Sequence, residues 1–204
     1  MDKDYIKVKE FISKDVADLL YGYTLLEHRR LTILNEKGID NPILWGTFND
    51  EQALGDFGRY GDLIFDTLLM GKLEHLEEIT KDKLVPQYSY HRLYTKGTEL
   101  TPHIDRPECE ISVTMCLGYD GESWPIWFGN ENGEKISVDM KQGDMVVYKG
   151  HSVGHWREPY KGNNNAQLFL HYTKKDGKYG DKKFDGRLAL GLQNEFLMGR
   201  PIEF

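Results

Sequence analysis

The chain has 204 residues, 39% hydrophobic and 29% charged, with a formal net charge of −7 and a pI of about 5.5. This is the composition of a globular protein long enough for one sizeable core. The acidic balance sets up a field that repels the phosphates of nucleic acid and of anionic membranes.

No apolar run reaches the roughly 18 residues needed to span a bilayer. The opening MDKDYIKVKEF has no apolar signal-peptide core. The expectation is a cytoplasmic protein with no membrane and no nucleic-acid partner. Cys109 and Cys116 fit that setting. They lie seven residues apart in one predicted strand, roughly 23 Å if extended, too far to bridge within it. Neither has zinc-finger spacing, and both read as reduced thiols.

In chain order, SKDVADLLYGYTLLEHRRLTIL predicts a helix, with Val16, Leu19, Leu20, Tyr23 and Leu34 near helical spacing. Ser13 can cap it, and Asp15 sits in the positive first turn. NEKGIDNP ends it. The Gly-rich stretch NDEQALGDFGRYGD reads as a loop able to act as a flap over a groove. DLIFDTLLMGKLEHLEEITK predicts a second helix with Phe65, Leu68, Leu69, Leu73, Leu76 and Ile79 on one face. His28 and His75 fall on polar positions of these helices and are given no special role.

From Pro86 the texture changes. QYSYHRLY, ECEISVTMCLG, PIWFGN, EKISVDM, GDMVVYKG and AQLFLHYT are short β-rich runs separated by Gly, Pro and Asp. Their spacing predicts a sandwich or small barrel. The expected organisation is one domain over 1–204. Residues 1–85 form a helical N-terminal part, 86–173 a β core and 174–204 a C-terminal extension, which could dock back or serve a partner.

The chemistry concentrates in TPHIDRPECEIS. On an extended chain His103 and Asp105 point to one face and can grip one ion together. A His-x-Asp triplet is too common by chance to decide anything alone. A third ligand must come from elsewhere. His155 in GHSVGHWREPYKG follows GDMVVYKG, a strand that can carry it back beside the pair, and His151 competes with it. Two histidines and one carboxylate make a facial triad suited to Fe(II), with three positions left open.

HRLYTKGTELTPHIDRPECEISVTMCLG, GDMVVYKG and HWREPYKG…QLFLHY together resemble the iron- and 2-oxoglutarate-dependent dioxygenases of the prolyl 4-hydroxylase-like branch, over about residues 86–173. The matching positions are Tyr94 and Gly97, His103 and Asp105, Gly143 and Asp144, and His155 with Pro159. The match favours His155 over His151 as third ligand. The resemblance implies a mainly β fold, a double-stranded β-helix (jelly-roll) with N-terminal supporting α-helices. It implies hydroxylation of an unactivated C–H bond, plausibly of a prolyl residue in a peptide or protein, with a small molecule as the other substrate class. Fe(II), 2-oxoglutarate and O2 are the implied cofactors, with ascorbate as an accessory, and succinate and CO2 the co-products.

One part of the pattern is missing. Relatives place an Arg or Lys nine to ten residues past the distal His, to pair with the far carboxylate of 2-oxoglutarate. Here those places hold Asn164 and Asn165. Alternation puts Asn165, Gln167, Phe169 and His171 on one inward face. Gln167 can hydrogen-bond a carboxylate but not neutralise it. The cation is therefore expected from Arg92, which shares a face with Tyr94 and Tyr90, or from Arg106, next to the metal Asp. Tyr94 aligns with a tyrosine that contacts the co-substrate. Trp156 and Arg157, beside a ligand, are expected to touch substrate; Trp127 is expected in the core, and His171 as a satisfied strand histidine. The missing cation keeps a second reading open, a metal-binding β-barrel without oxygenase activity, such as a cupin-like isomerase or a binding module. A third reading, a scaffold with a vestigial triad, is disfavoured by the presence of all three ligands.

Overall fold

A computed structural model describes residues 1, 3–39, 41–129 and 134–192. Strand β1 (Tyr5–Val8) leads into helix α1 (Lys14–Glu36), then a short helix α2 (Pro42–Trp45), strand β2 (Phe57–Tyr60), and helices α3 (Leu63–Gly71) and α4 (Leu73–Thr80). Eight strands follow: β3 (Leu84–Thr95), β4 (Leu100–His103), β5 (Ile111–Asp120), β6 (Ile126–Gly129), β7 (Lys135–Val138), β8 (Met145–Tyr148), β9 (His155–Arg157) and β10 (Asn164–Lys174). Two 3-10 turns, Pro107–Cys109 and Phe184–Gly186, complete the elements.

The strands form two antiparallel sheets. The larger has the order β1-β8-β5-β10-β3-β2 and the smaller β4-β9-β6-β7. Ile126, Phe128 and Val138 of the small sheet pack on Cys116, Val146 and Tyr148 of the large one. The mainly β jelly-roll architecture expected from sequence is the one observed.

Period two explains how the large sheet serves two masters. In β10, Ala166, Leu168, Leu170 and Tyr172 turn one way; in β5, Ile111, Val113, Met115 and Leu117 do the same, and together they meet the helices in one core. Each fully buried Leu, Ile or Phe there stabilises the fold by about 1.5–3 kcal/mol. The alternate residues Asn165, Gln167, Phe169 and His171 turn inward, with Ser112 and Thr114 from β5 and Tyr88, Tyr90, Arg92 and Tyr94 from β3. This inner face is polar because it builds a site rather than a core.

The helices differ from expectation in detail. Ser13 caps α1, its Oγ accepting from Val16 N at 3.4 Å. The buried stripe is Ala17, Leu20, Thr24, Glu27 and Leu31, while Val16 and Leu19 are exposed. The polar members are paid for by pairing: Glu27 meets Arg30 at 2.5 Å and Arg59 at 2.6 Å. The second predicted helix is two, broken where Lys72 leaves helical dihedrals (φ −103°, ψ 1°) after Gly71. The N-terminal part is also not purely helical, since β1 pairs with β8 and β2 with β3. Both strands have only four residues, too short for a periodic signal.

The segment read as a flap is tied down. Asp56 Oδ1 accepts from Thr95 N at 2.9 Å and Thr95 Oγ1 at 2.7 Å, and Phe57–Tyr60 form β2. The extension docks back as far as it is described. Arg187 and Asp66 form a buried ion pair at 2.8 Å, and Gly191 N donates to the same carboxylate oxygen at 2.7 Å. The rest of the predicted tail, 193–204, lies outside the described residues. Among the described residues no helix is long and apolar enough to cross a membrane.

Candidate active site

The site lies between the two sheets. His103, at the end of β4, is the direct cross-strand partner of His155, which opens β9. Their rings lie 4.3 Å apart, centre to centre. Asp105 follows two residues after His103, and its backbone N donates to Gly150 O at 2.8 Å, fastening it to the turn between β8 and β9. Asp105 Oδ1 stands 3.8 Å from His103 Nε2 and 3.5 Å from His155 Nε2. One ligand atom from each residue falls within a mutual 4.8 Å. His151 takes no part; its ring packs on Tyr179.

Each donor is oriented from behind. His103 Nδ1 donates to Thr101 O at 2.7 Å and His155 Nδ1 to Val153 O at 2.9 Å. With those protons placed, both Nε2 atoms carry lone pairs facing Asp105, the tautomer a metal ligand needs. Ser112 Oγ donates to Asp105 Oδ2 at 2.8 Å and lies 3.0 Å from His171 Nδ1. Gly150 makes room for this packing. A Cβ there would stand 2.3 Å from Asp105 Oδ2 and 2.2 Å from Ser112 Oγ.

The electrostatics agree with the geometry. Burial pushes the Asp105 carboxyl up, but His155, His171 and Ser112 outweigh it and hold it below the usual carboxylate range. Burial, then the neighbouring His155, lowers the His103 imidazole. Burial brings His171 down to about 4. At neutral pH this is an ionised Asp105 carboxylate beside the neutral imidazoles of His103 and His171, a setting suited to a divalent cation. Cys109 also lies near Asp105 and His171. Burial raises its thiol to about 12, and Tyr88 Oη lies 3.1 Å from its sulfur, so it stays protonated. His171 is the satisfied strand histidine expected.

A cavity of about 350 Å³ opens beside the triad. Three guanidinium groups line it. Arg92 donates to Asp50 Oδ2 at 2.6 Å and reaches Tyr94 Oη at 3.5 Å. Arg106 forms a fork with Asp185 at 2.7 and 2.6 Å and lies 3.3 Å from Glu108. Both residues expected to supply a free cation therefore already have carboxylate partners. Arg157 is 1% exposed and donates to Thr114 Oγ1 at 3.1 Å, Gln167 Oε1 at 3.3 Å and the Trp124 carbonyl.

Tyr94 is fully buried, edge-on to Trp124 at 4.9 Å, and Gln167 donates to Asn165 Oδ1 at 2.6 Å. Trp156 stands at the cavity's edge with its indole stacked on Trp127, 6.1 Å between centres and 16° between planes. Trp127 is thus half-buried on the outer side of its sheet, not in the core; Ile126 and Phe128, its neighbours in β6, take the inner places.

Sequence reasoning did not single out Asp50 and Gln52, which enter from the segment read as a flap. Gln52 Nε2 lies 2.8 Å from His103 Nε2, and Asp50 Oδ2 also accepts from Tyr90 Oη at 2.6 Å. No local signal marks them, because their role depends on how the loop folds over β3. Ser112 and Thr114 could have been found, since they alternate along the predicted strand. So could the direction of Arg157, two residues past His155 and hence on the same face.

By sequence, neither a family model nor a curated relative matches the chain. Solved structures do match it. A prolyl-4-hydroxylase from Pseudomonas putida superposes with a TM-score of 0.61 at 17% identity, over 85% of this chain and 94% of that one. The chain has the prolyl hydroxylase fold. A prolyl hydroxylase from Trichoplax adhaerens, solved with a peptide fragment of the hypoxia inducible factor oxygen degradation domain, matches at 0.60 and 13% identity, over 89% of each chain. HygX from Streptomyces hygroscopicus, solved with nickel and 2-oxoglutarate, matches at 0.60 and 9%, over 85% of this chain and 84% of that one. The likeness spans most of the chain.

Proposed function

We propose that this protein is an Fe(II)- and 2-oxoglutarate-dependent oxygenase that hydroxylates an unactivated C–H bond. The observation that carries the reading is the triad: two imidazole Nε2 atoms and one carboxylate oxygen within 4.8 Å, each held from behind by a hydrogen bond. Two imidazoles and one carboxylate are a donor set suited to Fe(II). His103, Asp105 and His155 would hold the iron. With 2-oxoglutarate and O2, the bound iron supplies the oxidising chemistry, and succinate and CO2 leave as co-products.

The chain's own residues do the rest. Tyr94 Oη, on the cavity wall, offers a hydrogen bond to the co-substrate. The buried inner face keeps water from the reacting centre. Ligand-bound relatives of the fold support the reading: one holds nickel and 2-oxoglutarate, another a peptide.

A prolyl residue of a peptide or protein is the substrate class proposed. Tyr60 stacks on Tyr88 at 5.0 Å, and these rings with Tyr90 wall the cavity opposite the small sheet. An apolar five-membered ring packs well on such faces. The setting proposed is cytoplasmic, where the buried thiols of Cys109 and Cys116 stay reduced.

The test is turnover. With Fe(II), ascorbate and O2, the protein should convert 2-oxoglutarate to succinate, faster with a proline-containing peptide that gains one oxygen atom by mass. His103→Ala and Asp105→Ala should abolish both. Succinate formation unchanged in the two variants would defeat the proposal.

A further inference from the structure

We propose that Arg157 binds the far carboxylate of the 2-oxo dicarboxylic acid co-substrate, in place of the cation missing at Asn164 and Asn165. The inference rests on the oxygenase reading and adds to it the residue that selects a dicarboxylate.

Strand β9 sets the direction of Arg157. In a three-residue strand, His155 and Arg157 share a face and Trp156 takes the other. The guanidinium therefore enters the space between the sheets beside a metal ligand. It meets only neutral acceptors there: Thr114 Oγ1, Gln167 Oε1 and the Trp124 carbonyl. Among the described residues, no carboxylate forms an ion pair with it.

That is an unusual place for a charge. A buried ion without a counter-ion is costly, and burial lowers the Arg157 guanidinium from its ordinary value. The other two cations of the cavity are neutralised, Arg92 by Asp50 and Arg106 by Asp185 and Glu108. A carboxylate delivered into this cavity would complete Arg157 without breaking an ion pair. At Arg92 or Arg106 it would have to displace one.

The surroundings suit that ligand. Tyr94 Oη lines the cavity and can donate to the same carboxylate, while Thr114 Oγ1 donates to Gln167 Oε1 at 3.1 Å and so helps fix the acceptors that hold Arg157. The Arg157 guanidinium also lies over the Trp124 ring at 5.0 Å, which fixes its plane. Triad, Tyr94 and Arg157 line one cavity of about 350 Å³, so one small acid can reach both ends. Gln167, expected as an auxiliary contact, becomes the residue that positions Arg157.

The test compares two acids by calorimetry on the Mn(II)-loaded protein without oxygen: 2-oxoglutarate and 2-oxopentanoate, which has the same carbon count but no far carboxylate. The wild type should prefer 2-oxoglutarate by at least about 30-fold, the range for a buried charge pair. Arg157→Met should bring 2-oxoglutarate down to the level of 2-oxopentanoate, leaving Mn(II) and 2-oxopentanoate binding within about threefold of wild type. Arg157→Gln, which retains hydrogen-bonding capacity toward Thr114 and Gln167, should do the same and guards against a packing defect in the Met variant. An undiminished preference in both variants, or loss of preference in Arg92→Met instead, overturns the assignment and leaves the oxygenase reading standing. A wild type that holds Mn(II) but neither acid removes that reading, and this inference with it.

Discussion

Gly150→Ala adds one methyl group at the point where the Asp105 carboxylate is seated. The new Cβ would stand 2.2 Å from Ser112 Oγ, 2.3 Å from Asp105 Oδ2 and 2.7 Å from Cys109 O. Carbon–oxygen contacts near 3.4 Å are the closest ordinary packing allows, so relief requires movement of about 1 Å. The Cys109 carbonyl is backbone and gives little. The carboxylate and the serine must move, which breaks their 2.8 Å hydrogen bond and swings Oδ1 away from the two Nε2 atoms. Disturbing the partners of a metal ligand costs about 10–100-fold in metal affinity. Overpacking costs a further 1–3 kcal/mol or so of fold stability. Titration with Mn(II) followed by calorimetry, beside urea unfolding of the metal-free protein, reads both. Wild-type metal affinity in a folded Gly150→Ala protein would refute the view that Asp105 is held in place through this contact.

Other perturbations test other parts. Gln52→Ala removes the amide beside His103 Nε2, so metal should bind about 2–10-fold tighter in the same titration, the worth of one hydrogen bond; weaker binding would show that Gln52 assists the ion instead. Asp66→Ala leaves the Arg187 guanidinium buried without its partner and should cost about 3–5 kcal/mol in urea unfolding, because the pair anchors residues 183–192; a loss under 1 kcal/mol or so would mean the extension is not integral to the fold. The pH dependence has a definite sign. The folded protein holds His171 at about 4, below the ordinary imidazole value of about 6.5, so the unfolded chain binds the extra proton between those values. Stability of the metal-free protein should therefore rise with pH across that window, by up to about 3 kcal/mol. His171→Gln should flatten the rise, as read by urea midpoints at several pH values.

Much of the fold was legible because its long elements carry clean periods. β3, β5 and β10 alternate over ten residues or more, and the inward set of β10 follows from counting by two. The triad was legible for the same reason: His103 and Asp105 share a face, and a strand carries His155 back to them. What escaped was set by tertiary contact. α1 buries the polar Thr24 and Glu27 while leaving Leu19 exposed, because Glu27 answers Arg59 from β2 and the buried His91 from β3. Arg92 and Arg106 looked free because their partners, Asp50 and Asp185, lie 42 and 79 residues away. Arg157 was placed beside a ligand but without a direction, although the period of two already supplied one.

Anaerobic titration of the wild-type protein with Fe(II) and then 2-oxoglutarate reads the triad and the co-substrate together, through the visible charge-transfer band of a 2-oxo acid chelated to Fe(II). The band should rise to one equivalent of each and be missing in His103→Ala and Asp105→Ala. Iron bound by the wild type with no band on adding 2-oxoglutarate would contradict the oxygenase reading and leave a metal-binding jelly-roll with some other ligand.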